Sequence, residues 1–339
     1  MEGFENYNKD SDVAGVWNKG AQTPVYQAAT RGSPGAAIEL GSSRTLNHAI
    51  TENPATCTVG FAFKHDNAMT SAFAFLQFRE AAAAGGFHIE IRVNTSGQIE
   101  ARRFVTIVDT SNKSLSQGVW YYIEAKLFVS DGAGTCEVWV NGKKGGWIDF
   151  SGDTQNGGNA FVDAIQLQGL SAGAGGPFTF DDLYVLDDSG GAPGNDRLGD
   201  SIVETLNPSG AGLEAQWSPS AGSNFQNVDE PTPDDDTTFN SSQVVDDDDR
   251  FAMDNLVNVP STVFGVQVNG MFRLENSGAR DIRLKVHDGV TEGQSVDKTP
   301  SFDPNYSYEF EVFEDHPTGA APWSTAEVNA MEAGYRIQA

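Results

Sequence analysis

The sequence predicts an all-β chain made of two β-rich domains, with one short helix near its C-terminus. Three observations carry this. Apolar residues recur at every second position over short runs, the period of a half-buried strand. Turn formers are abundant, with 37 glycines and 14 prolines, which suits many short strands joined by tight turns. The 339 residues are too many for one ordinary sandwich and enough for two buried cores.

Residues 1–50 read as mostly irregular, with apolar patches at 13–17 and 38–40. The alternation becomes clear at Cys57, Val59, Phe61 and Phe63. Phe87, Ile89, Ile91 and Val93 then alternate with His88, Glu90 and Arg92, a half-buried strand, and 94–97 turn the chain back into 99–104. From Trp120, the residues Tyr121, Ile123, Ala125, Leu127 and Val129 face one side while Glu124 and Lys126 face the other. Cys136, Val138 and Val140 follow, ended by Asn141-Gly142, a pair that tolerates the positive φ of a hairpin turn. Ile165 and Leu167 mark a short strand, and 180–186 another.

The stretch 187–200 reads DDSGGAPGNDRLGD, with nothing to pack. It divides a domain of residues 1–188 from one of 201–339, with 189–200 as linker. In the second domain, Ile282, Leu284 and Val286 alternate with Arg283 and Lys285, and Tyr308, Phe310 and Val312 with Glu309 and Glu311. Ser324-Thr325-Ala326-Glu327 has capping-box spacing, which starts a helix that Gly334 would end. Residues 335–338 add a last strand.

The charge is one-sided, with 21 Lys and Arg against 47 Asp and Glu, a net charge of -26. Such a surface repels nucleic-acid phosphates and anionic membranes, so neither is an expected partner. No apolar run has the length of a membrane span. The opening MEGFENYNKD has no secretory features, so the chain is expected to fold in a cytoplasm. Cys57 and Cys136 are expected as buried free thiols rather than a disulfide.

The string 120–142, W-Y-Y-I-E-A-K-L-F-V followed by G-T-C-E-V-W-V-N-G, resembles the concanavalin A-like, laminin G-like jelly-roll sandwich. So do the F-D-D-L-Y-V of 180–185 and the opening E-G-F-E of 2–5. The resemblance covers residues 1–188. Further phrases resemble structural proteins of tailed-phage virions: D-D-S-G-G at 187–191, L-G-D at 198–200, T-L-N-P at 205–208, D-D-D-T at 234–237 and W-S-T-A-E-V-N at 323–329. That resemblance implies a place on a virus particle, with other capsid or tail proteins as partners and synthesis in the host cytoplasm.

No constellation points to enzymatic chemistry. Gly169-Leu170-Ser171-Ala172-Gly173 matches a nucleophile elbow, but the glycine-rich 173–177 cannot start the helix that the elbow needs. Glycosidases of concanavalin-like folds carry an E-x-D-x-E strand. This chain has none, and Glu309, Glu311 and Glu314 lack the intervening Asp. Asp181 and Asp182 sit on a strand where a half-buried carboxylate needs a partner. The resemblance implies a calcium ion, with Glu2 and Glu5 as further oxygens; the alternative is that both cap loops or pair with a basic residue. The acidic runs 234–236 and 246–249 read as solvated loops. Trp139 alternates out of phase with Cys136, Val138 and Val140, so it faces solvent or a partner, such as a glycan.

The expected function is a non-enzymatic virion structural protein, a capsid decoration or tail-associated appendage. The alternative is a glycan-binding adhesin or receptor-binding tail protein that meets a host surface glycan. A homo-oligomer, with a trimer first, is expected through the second domain, because Trp217, Phe225 and Phe239 lie in the strand-poor stretch 200–250 and need burial.

Overall fold

The computed structural model describes residues 1, 3–4, 17–19, 25–27, 31, 36–42, 44–187, 196–231, 233–275, 280–302, 306–319 and 321–338. They form two compact units, Met1–Val203 and Glu204–Ala339. The chain is all-β, and the first unit is the expected two-sheet sandwich.

In chain order its strands are β1 (Asn18–Lys19), β2 (Val25–Gln27), β3 (Ala37–Leu40), β4 (Thr45–Ala49), β5 (Thr56–His65), β6 (Phe73–Arg79) and β7 (Phe87–Val93). β8 (Gln98–Arg103), β9 (Thr106–Ser114), β10 (Tyr121–Phe128), β11 (Gly134–Val140), β12 (Asp149–Gly152), β13 (Ala164–Gln168) and β14 (Phe178–Leu186) complete it. One sheet runs β1-β4-β13-β6-β7-β8-β9 and the other β12-β11-β10-β5-β14-β3-β2. β3 and β4 lie in the stretch that the sequence left irregular, because each is short and only Ile38, Leu40 and Leu46 mark its buried side.

The core between the sheets is aromatic. Phe61, Phe63, Phe75, Phe178 and Phe180 are fully buried, with Phe63 stacked 4.5 Å from Phe75 and 5.3 Å from Phe178. Leu76, Phe78, Ile89, Ile91, Ile165 and Leu167 come from the first sheet. Because side chains alternate, the residues between these point away from the core. Cys57 and Cys136 are both buried. Asn141 and Gly142, at φ 51° and 71°, make the predicted hairpin turn.

The second unit contains β15 (Pro208–Ala215), β16 (Ser218–Pro219), β17 (Asn240–Ser241), β18 (Asp248–Met253), β19 (Val266–Leu274) and β20 (Ile282–His287). β21 (Glu292–Gln294), β22 (Ser301–Phe302), β23 (Ser307–Phe313), the helix α1 (Thr325–Ala330) and β24 (Glu332–Ile337) follow. A five-stranded sheet, β15-β18-β24-β20-β21, and a three-stranded one, β22-β19-β23, supply its core. The capping box is present, with Ser324 accepting from Glu327 and Glu327 from Ser324. Met331, not Gly334, caps the helix. Gly334 is a strand residue instead, where a Cβ would come 1.9 Å from the Asp249 carbonyl oxygen. The close approach of β18 explains that glycine.

The units divide at Val203/Glu204 rather than within a free linker. Residues 196–203 belong to the sandwich because its buried acceptors satisfy their donors: the Val203 N–H reaches Asp182 at 2.9 Å and the Gly199 N–H reaches Glu124 at 2.8 Å.

Candidate functional site

The outward face of the first sheet carries one continuous polar row. Strand register aligns Asn18, Asn47, Gln166, Gln77, Glu90 and Arg102 on β1, β4, β13, β6, β7 and β8. At one strand spacing per step the row is about 24 Å long. Its side chains bond to each other in sequence. Asn47 donates to the Asn18 carbonyl oxygen at 3.1 Å, and Gln166 donates to Asn47 Oδ1 at 2.6 Å. Arg79 Nη1 bridges Gln166 Oε1 and Gln77 Oε1, at 3.2 and 2.9 Å. Gln77 donates to Glu90 Oε2 at 3.1 Å.

Glu90, fifth of the six, is buried. Arg102 Nη2 lies 2.5 Å and Arg92 Nε 3.5 Å from its Oε1. A buried carboxylate is tolerable because two guanidiniums and an amide surround it. One step away, Glu100 pairs with Arg92 in register and accepts from Asn94 at 2.9 Å. The other Glu100 oxygen is buried without a partner. Gly86 leaves room for Arg79, since a Cβ there would meet Nη2 at 2.6 Å. The row ends at exposed Ile107, the partner of Arg102 on β9. Gln77, Gln166 and Glu100 are buried like Glu90, and the interlocked amides and guanidiniums satisfy one another.

The outward face of the second sheet is covered along one row. Tyr184, Gly60, Glu124 and Trp139 share one row. The Tyr184 ring lies over Gly60, where a Cβ would be 2.2 Å from the ring, and its hydroxyl donates to buried Glu124 at 2.6 Å. Arg197 pairs with Glu124 at 2.8 Å and stacks 4.2 Å from the Trp139 ring centroid. Trp139 thus faces outward as the alternation implies, but Arg197 caps its ring and it is half-buried.

Asp181 and Asp182 are both buried at a β-bulge between β14 and β5, with Asp182 at φ 51°. Asp181 accepts from the Arg31 and Asp182 backbone N–H groups, at 3.2 and 2.9 Å. Asp182 accepts from Val203 and lies 3.7 Å from the Arg31 guanidinium. Burial, and then the Asp182 charge, raises the Asp181 pKa to about 7. Burial raises that of Asp182 to about 6, against the opposing pull of the Val203 N–H and Arg31. Glu2 and Glu5 lie outside the described residues, and among the described residues no cluster of three His, Cys, Asp or Glu side chains could hold a metal.

Trp217 and Phe225 pack within their own unit, against the cluster of Phe251, Ile282, Leu284 and Tyr335. Trp217 meets Tyr335 edge-on at 4.7 Å. A neighbouring subunit is not needed to bury them, because 216–227 folds around Asp249 and Asn227 instead of staying structureless: Asp249 accepts from the Trp217 N–H and from Asn224. Phe239 is 38% exposed. The acidic run 246–249 is likewise structural. Asp248 pairs with buried Lys285, Asp246 with Arg336, and Asp249 is fully buried. Ser171 sits in a loop before a single 3-10 turn, not on a strand-to-helix elbow.

No family model and no curated protein matches the chain. Solved structures with similar parts include the cellulose-induced protein Cip1, with TM-score 0.39 and 15% identity over 50% of this chain and 90% of that one. The Trypanosoma rangeli sialidase matches with TM-score 0.36 and 12% identity over 51% of this chain and 30% of that one. Domain 4 of AbnA, a GH43 extracellular arabinanase from Geobacillus stearothermophilus in complex with arabinotriose, gives 0.34 and 14% over 49% and 76%.

Proposed function

We propose that the chain is a non-enzymatic glycan-binding protein, and that the first sheet's outward face is its binding surface. The polar row from Asn47 to Arg102 carries this reading. Sugars are recognised by fixed planar amides and guanidiniums, which match hydroxyl and carboxylate geometry without a rotamer cost on binding. Glu90 is committed to two arginines and an amide, so it does not serve as a free general acid.

A glycan array probed with the full chain tests the proposal. Binding that Gln166→Ala lowers at least tenfold, in a protein that still folds, supports it. Absence of binding across a broad array overturns it.

A second reading, a structural subunit of a tailed-phage particle, rests on the sequence resemblance and on one surface of the second unit. Phe310 and Val312 of β23, on the side of the three-stranded sheet opposite Val266 and Phe313, are 37% and 38% exposed. An apolar strip of this kind suits a protein partner. The two readings are compatible in a receptor-binding appendage. Cryo-EM of particles from a gene-deleted phage tests the second, and intact, fully infectious particles with no missing density would reject it.

A further inference from the structure

We infer that the polar face selects acidic glycans, those carrying carboxylate or sulfate groups on a polyhydroxylated chain. The inference rests on the glycan-binding reading and adds the ligand class to it.

The first observation is the placement of charge. A chain with 21 basic residues against 47 acidic ones puts three arginines, Arg79, Arg92 and Arg102, on one sheet face with the carboxylates Glu90 and Glu100. The second is the balance of donors and acceptors. Along the row the acceptors are taken: Asn47 Oδ1, Gln166 Oε1, Gln77 Oε1 and both Glu90 oxygens each receive a bond. The guanidiniums have five N–H donors each, more than the row uses. Arg102 keeps its Nε buried without a partner while its side chain is 29% exposed. A face with spare fork-shaped donors and spent acceptors is matched by an oxyanion, which only accepts.

The third observation separates a glycan from a bare anion. The unpartnered Glu100 oxygen is an acceptor beside Arg92. It calls for an O–H or N–H donor on the same ligand, which an acidic sugar has and inorganic sulfate lacks. Exposed Ile107, next to Arg102, offers an apolar edge to the sugar ring.

An array of neutral, uronate-containing, sialylated and sulfated glycans, probed with the full chain at 0.15 M salt, tests the inference. The expected result is at least tenfold stronger binding to acidic members than to neutral ones, abolished by Arg102→Gln. Preference for uronates and sialosides assigns carboxylate as the recognised group, and preference for sulfated members assigns sulfate. Equal or stronger binding to neutral members overturns the inference and leaves the glycan-binding reading standing, whereas silence across the array overturns both. Arg102→Gln takes the nearer of two guanidiniums from the Glu90 charge. The double substitution Glu90→Gln with Arg102→Gln removes the pair together, and acidic binding that survives it in a folded protein also overturns the inference.

Discussion

Replacing Asp181 with Asn should stabilise the sandwich at pH 8 and lose that effect at pH 4. Asp181 is buried, with its pKa raised from 3.8 to about 7. Between those values the folded state binds a proton that the unfolded state has released, so stability falls as pH rises. The stabilising share is fully present below pH 4 and is gone above pH 7. At 1.36 kcal/mol per pH unit, the buried charge costs the fold at most about 4 kcal/mol at pH 8. Asn removes the charge and keeps one of the two acceptor bonds, from Arg31 or Asp182. Losing the other costs about 1 kcal/mol. The expected net gain at pH 8 is therefore up to about 3 kcal/mol, against zero to about 1 kcal/mol of loss at pH 4, where the carboxyl is nearly as protonated unfolded as folded. Urea unfolding of both proteins at the two pH values, with and without calcium, reads this directly. A variant less stable than the parent at pH 8 would refute the reasoning. A calcium-dependent rise in parental stability, absent from the variant, would give the pair the metal role that the sequence resemblance implies.

Other expectations follow from the same geometry. Gly60→Ala would set a Cβ 2.2 Å from Tyr184, displacing the ring that bonds Glu124. We expect a loss of about 1–3 kcal/mol, read by calorimetry, and an unchanged melt would contradict the packing. Burial raises the Cys136 thiol pKa, and Cys57 is equally enclosed; neither should react with a thiol reagent until the protein unfolds, and prompt native-state labelling would show the core to be open. The homotrimer that the sequence predicts, which the burial of Trp217 and Phe225 within their own unit no longer requires, is checked by light scattering with and without salt or divalent cations that screen the net charge. A strict monomer under every condition would reject self-assembly.

Much of the sandwich was legible in the sequence because its strands alternate apolar and polar residues, even though His88, Glu90 and Glu124 on the outward side are buried as well. The alternations through Ile89 and Ile91, and through Ile123 and Ala125, translate directly into inward and outward faces. The polar row was harder to see. Its members lie on six strands, and their adjacency depends on register, which no local pattern specifies. The one visible signal was the kind of residue between the apolar positions, amides and arginines such as Gln77, Arg79 and Gln166. Trp139 was placed on the correct face, yet its cover came from Arg197, some 60 residues away in a stretch whose composition resembles a linker. Trp217 and Phe225 were taken to need a partner because 200–250 lacks periodicity; side-chain bonds to Asp249 and Asn227, not alternating strands, organise that stretch.

β14 lies between β5 and β3 in its sheet, so the middle of that sheet is filled by the last strand of the unit to be made. While the chain is being synthesised, β5 keeps a bare edge until residues 178–186 have left the ribosome. Pairings this distant in sequence form slowly. Meanwhile the exposed edge, backed by Phe61 and Phe63, can recruit a strand from another nascent chain. Production of this protein should therefore depend on chaperones that shield unfinished sheets, and chains stopped short of Phe178 should precipitate instead of folding as a smaller sandwich.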